Sequence, residues 1–278
     1  MLVIQDHPFS VAKGGKHYTA VAKSFYGINV DAVLEKAREY GAVLTMAELI
    51  NYFPFSDDGL LQEVPVTVQS EEIVGRSRGG NQVVITVHGA GLLTPERIKN
   101  GINHTPLSAE VMPDHGLTKP ASGRGHGALP LQDAEVYALL DGKTPSGDIG
   151  IYSFSDLETG FVFPAGYALV RDFDLEKEKC SGKYYSLQEL VDDPRMICSA
   201  GSLEAAAAHL RQLAKRFGTD MFSNFHSLHS LDINQPQGRF LERRGSPQGL
   251  YGCLEMDGSA RFVAVRKQDL EEKAGEQA

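Results

Sequence analysis

The sequence predicts an α+β fold: a mixed or antiparallel sheet, several short helices and a C-terminal β-hairpin. Three observations lead there. Apolar runs of strand length alternate with amphipathic helical segments, but without the regular rhythm of a doubly wound sheet. Several helices are signalled by capping residues. The chain also closes on two alternating apolar runs within "LYGCLEMDGSARFVAVR", joined at Asp257-Gly258, a pair suited to a tight hairpin turn.

The elements follow in order. Residues 29–41 predict a helix, with Asp31 as N-cap candidate, Val33, Leu34, Ala37 and Tyr40 on one face, and Gly41 as the stop. Thr45 and Glu48 form a capping box, and Ser186 and Glu189 repeat it. Strands are expected over 66–69, 82–87, 149–154, 160–170 and 195–198, with Pro164 interrupting the fourth or confining it to an edge. A helix begins at Thr94. The strongest helix is capped by Ser202, stopped by Gly218 and lined by Leu203, Ala206, Ala207, Leu210, Leu213, Ala214 and Phe217. A domain division falls between 1–170 and 171–278, at the charged "RDFDLEKEKCSGK", although the same stretch fits a surface loop within one continuous domain.

Composition narrows the function. A chain of 278 residues can bury a sizeable core. Its net charge of −9 argues against a nucleic-acid partner, which needs a basic surface; the local cluster "RFLERRGS" reads as solvated surface. No apolar run approaches the roughly 20 residues of a membrane helix, and the N-terminal apolar start is too short for a signal peptide, so a soluble, cytoplasmic protein is expected. Cys180, Cys198 and Cys253 form no C-x-x-C pair, which signals neither a redox motif nor a cysteine–zinc site.

The segment "QVVITVHGAGLLTPERI" runs an apolar strand into His88-Gly89-Ala90-Gly91. His-Gly-x-Gly after a strand resembles the oxyanion-hole loop of lipases and esterases, which implies an α/β-hydrolase with a G-x-S-x-G nucleophile elbow. Gly75-Arg76-Ser77-Arg78-Gly79 matches that pattern, but it precedes the histidine loop, follows no clear strand and opens no helix.

Histidines offer a second chemistry. His88, His104, His115 and His126 fall within forty residues, and with Asp114 they could converge on a divalent metal, although no spacing matches a strict metal signature. Ordinary turn histidines are the favoured reading, and a metal is not. The "HGAGLLTPERI" and "HGALPLQDAEVYALL" segments echo one another, which makes His126 the best partner for His88 if either is catalytic. In "KPASGRGHGALP", Arg124 and His126 alternate with glycines and could surround an anion.

Cys198, just before a predicted helix, could be a nucleophile with His226 or His229 as base; burial in "RMIC" is the favoured reading. In "SLDINQPQGRF", Asp232 and Asn234 read as loop-holding residues and Arg239 as the one that faces a ligand. Since no catalytic motif keeps its context, a binding or assembly role with a small-molecule or protein partner is the expectation. The alternative is a hydrolase-type enzyme using the histidine-rich segment 88–126, with or without a metal.

Overall fold

The computed structural model describes residues 2–13, 16–52, 64–89, 91–102, 128–156, 163, 166–175, 184–222, 236–243, 251–253 and 259–266. It opens with a long antiparallel pair, β1 (Val3–Lys13) and β2 (Lys16–Gly27), in register from Val3 opposite Tyr26. The sequence reading assigned no strands here, because Asp6, His7 and Pro8 break the apolar alternation. β1 ends the sheet, so Pro8 costs no ladder bond that a central strand would need.

Helix α1 (Val30–Tyr40) buries Val30, Val33, Leu34 and Ala37. Its N-cap is Asn29, and the expected cap, Asp31, sits in the first turn. Gly41 ends it with φ of 177°, an extended conformation. Glycine is required there by contact: a Cβ would lie 2.2 Å from the Val265 carbonyl oxygen. After β3 (Ala42–Val43), helix α2 (Met46–Tyr52) starts at the expected box, with Thr45 N–H donating to Glu48 Oε2 at 2.8 Å and Glu48 N–H to Thr45 Oγ1 at 3.2 Å.

β4 (Val66–Arg76) and β5 (Gln82–His88) form an antiparallel hairpin, and the G-x-S-x-G match lies at its turn. A strand-to-strand turn cannot present a nucleophile elbow, so the G-x-S-x-G match is not one. α3 (Pro95–Ile102) begins where Thr94 predicted, its Oγ1 accepting Arg97 N–H. Next come β6 (Leu129–Pro130), α4 (Asp133–Leu140), the small pair β7 (Lys143–Thr144) and β8 (Gly147–Asp148), β9 (Gly150–Ser153), β10 (Tyr167–Asp172) and β11 (Tyr185–Ser186). α5 (Leu187–Val191) carries the Ser186–Glu189 box.

Residues 195–198, expected as a strand, lie in helix α6 (Pro194–Ala200). Asp193 caps it, Pro194 occupies its first turn and Gly201 closes it in the left-handed region at φ 87°. Four residues, three of them apolar, are too few to separate the two periods, and these flanking signals decide the matter. α7 (Leu203–Phe217) follows, with Ser202 Oγ accepting Ala205 N–H and Gly218 ending it as expected.

β12 (Met221–Phe222), β13 (Gln237–Arg243), β14 (Tyr251–Cys253) and β15 (Ala260–Val265) complete the chain. The C-terminal antiparallel pair is β13 with β14, whereas β15 pairs with β2, β3 and β4. The two runs expected to form a hairpin therefore pair elsewhere. Burial explains it: both faces of β15 are covered, a place for a central strand. Asp257 and Gly258 lie outside the described residues.

Among the described residues, eleven strands form one mixed sheet: seven along the path β1-β2-β15-β4-β5-β10-β9, with β3, β6, β13 and β14 off it, and with parallel pairs β15–β4 and β10–β9. β10 crosses position 170/171, and β13 and β15 pair with N-terminal strands, so this sheet draws on both halves of the chain. Along β15, Phe262 and Ala264 pack with α1, while Val263 and Val265 pack with residues of α2, α6 and α7. No helix of the described residues is long and apolar enough to cross a membrane.

Candidate functional site

Within the sheet, β4 changes partners at Gln69. Its N–H donates to the Leu44 carbonyl at 2.8 Å, and its carbonyl accepts Gly89 N–H at 3.0 Å. On one side the chain continues into β3 and α2, and on the other into the end of β5. A sheet that splits leaves a gap. Here it is a cleft of about 1150 Å³, lined among others by Arg38, Glu48, Gln69, His88, Phe163 and Tyr167.

The inner wall is a row set by strand register. Ser70, His88 and Tyr167 stand opposite one another on β4, β5 and β10, so their side chains share a face. Ser70 Oγ lies 2.8 Å from His88 Nδ1 and accepts Met46 N–H at 2.9 Å. The His88 ring stacks on Tyr167 at 4.7 Å, and Tyr167 stacks on Phe163 at 4.1 Å. Tyr167 donates its hydroxyl to the Cys198 carbonyl at 2.5 Å, tying the row to α6, and burial pushes its phenol well above the usual range. His88 thus closes its strand with a defined hydrogen bond, and it also lines the cleft.

The loop after His88 is anion-binding in form, and the protein supplies the anion. The Glu71 carboxylate accepts Leu92 N–H at 2.8 Å and Leu93 N–H at 3.0 Å. Burial pushes its carboxyl up to about 7, against the opposing pull of those two amides and of Arg38. The Leu92 and Leu93 amides of this loop are thereby occupied.

Beyond the row, Glu72 sits fully buried between two arginines, 2.8 Å from Arg239 and 3.7 Å from Arg171. Arg171 also donates to Thr86 Oγ1 at 2.7 Å. Arg239, expected to face a ligand, is thus held inside the sheet by a carboxylate. With Arg239 and Arg243 both buried, the described part of the basic cluster is interior and not solvated surface. For Arg239 the cause lies in β4, whose Glu72 supplies the buried partner; a glutamate in an apolar strand was the missed signal.

Cys198 is buried in α6, and burial pushes its thiol up to about 12. That is opposite to the thiolate a nucleophile needs. His104, Asp114, His115, Arg124, His126, His226, His229, Asp232 and Asn234 lie outside the described residues, so neither the convergence of the histidines nor the glycine-rich loop at 120–127 is visible. Among the described residues there is no group of three or more His, Cys, Asp or Glu that could hold a metal. Arg38, Phe163, Tyr167 and Arg266, all on the cleft, were not legible as site residues because none belongs to a local motif.

No family model and no curated protein matches the chain. It is similar to a solved structure described as "Accommodation of massive sequence variation in Nanoarchaeota by the C-type lectin fold", with a TM-score of 0.62 and 26% identity, covering 89% of this chain and 98% of that one. A C-type lectin-fold neighbour agrees with the mixed α and β content.

Proposed function

We propose that this protein binds a small ligand in the cleft beside His88, and that binding is its function. The observation that carries the reading is the cleft itself: about 1150 Å³, with a stacked aromatic wall and a few polar groups converging on it. Ligand sites combine apolar or aromatic walls with a few placed polar groups in this way. The neighbouring structure, described as a C-type lectin fold that accommodates massive sequence variation, is consistent with a binding role.

The hydrolase alternative finds less support. Ser70 meets His88, but the serine is fully buried, also accepts Met46 N–H, and is not on the cleft lining. A protein partner or an assembly role has no particular described surface in its favour.

Asn51 is exposed, sits on α2 and lines the cleft, so Asn51→Trp fills the space without touching the core. Equilibrium dialysis against a small-molecule cell extract, read by mass spectrometry, should enrich at least one compound with the unmodified protein and not with Asn51→Trp. Equal retention by both proteins would defeat the proposal.

A further inference from the structure

Resting on the cleft as a binding site, we infer that the ligand carries an anionic group, a carboxylate or a phosphate, recognised by Arg38 and Arg266. Among the described residues, the charged side chains on the cleft lining are these two arginines and one glutamate, in a protein whose net charge is −9. A locally positive recess in an acidic surface selects anions by the field it focuses.

The glutamate is already engaged. Glu48 Oε2 accepts both the N–H and the hydroxyl of Thr45, at 2.8 and 3.0 Å. Arg38 is the opposite case. Its Nη2 is buried, and among the described residues it has no hydrogen-bond partner. Glu71 attracts it from nearby but spends its oxygens on Leu92 and Leu93. A buried guanidinium nitrogen without a matching acceptor is costly, and an arriving oxyanion supplies that acceptor.

Arg266 lies over the Tyr40 ring at 4.7 Å, which fixes the direction of a second guanidinium at the cleft. Ser202 and Ala205, from the first turn of α7, also line the cleft. That 15-residue helix presents its positive end there. Two guanidiniums, a helix N-terminus and an aromatic wall together fit a ring or apolar body bearing one anionic group.

Three probes of similar size separate the contributions: phenyl phosphate, benzoate and benzyl alcohol. Each is titrated into isotopically labelled protein while the amides of Gln69, Gly89, Gly166 and Gly201 are followed, with inorganic phosphate alongside. The two anions should shift these amides saturably. Arg38→Met should weaken them by about tenfold or more, and Arg266→Met should weaken them as well, with benzyl alcohol unaffected by either change. Preference for phenyl phosphate over benzoate, or the reverse, identifies which oxyanion the site takes. Anion binding unchanged in Arg38→Met, or benzyl alcohol binding as tightly as the anions, overturns the inference while leaving the cleft as a binding site. If no probe moves a cleft amide, the anion site is overturned and the cleft reading falls with it.

Discussion

Glu71 and Gly91 fit one another: a Cβ at position 91 would lie 2.3 Å from Glu71 Oε2. The glycine is there so that a carboxylate can lie against the backbone and accept the two amides that follow.

Gly91→Ala should therefore cost about 2 kcal/mol or more, since displacing the carboxylate leaves two buried N–H groups without their acceptor. Glu71→Ala should cost a similar amount for the same reason. The double variant should be much less destabilised than the sum, because both changes break one interaction. Denaturant melts of the four proteins check this, and strict additivity would separate the two residues.

Two buried groups give opposing pH dependences. Burial raises the Glu71 carboxyl from 4.5 to about 7, so between those values the folded state holds the proton more tightly, and its stability falls as pH rises. Burial, and secondarily Arg243, lowers His209 from 6.5 to about 3, so its contribution is present above 6.5 and is lost as pH falls toward 3. Stability measured from pH 3.5 to 7.5 should lose its acid-side fall in His209→Gln. It should lose its neutral-side fall in Glu71→Gln. Unchanged slopes in either variant would contradict the assignment.

Glu72 balances Arg239 and Arg171 inside the sheet, so Glu72→Gln should destabilise by about 3–5 kcal/mol, the usual cost of leaving a buried charge unmatched. Glu39→Gln, which breaks the exposed Lys36–Glu39 pair, should change the melting temperature very little. A similar cost for both would show that the Glu72 cluster is solvated.

Cys198 should resist thiol reagents at pH 8 in the native protein and react fully on unfolding, because it is fully buried and its thiol lies near 12. Peptide mapping of the labelled protein shows this directly. The same titration under denaturing, non-reducing conditions should recover three thiols, as the cytoplasmic placement expected from the sequence would require.

Some local signals in the sequence were reliable. The Thr45 and Ser186 capping boxes, the Ser202–Gly218 helix and the 82–87 strand stand where they were read, since each depends on residues within one turn or one strand. By contrast, β4 runs well past the expected 66–69, and 195–198 is helical. Long-range pairing was not legible. β15 alternates like half of a hairpin, yet it lies between β2 and β4, because strand partners are chosen by burial of both faces and not by the nearest turn. The site was harder still: Gln69, His88, Phe163 and Tyr167 meet only because register and a split in the sheet bring them together. Of these, His88 alone stood in a pattern that drew notice.

The cleft is the central claim, and backbone amide mapping tests it most directly. A fragment library of neutral, anionic and cationic rings is screened against labelled protein, beside Asn51→Trp. The amides of Gln69, Gly89, Gly166 and Gly201 should be the centre of the perturbations, and the filled variant should lose them. Perturbations centred elsewhere, or identical in Asn51→Trp, would contradict the cleft as the binding site.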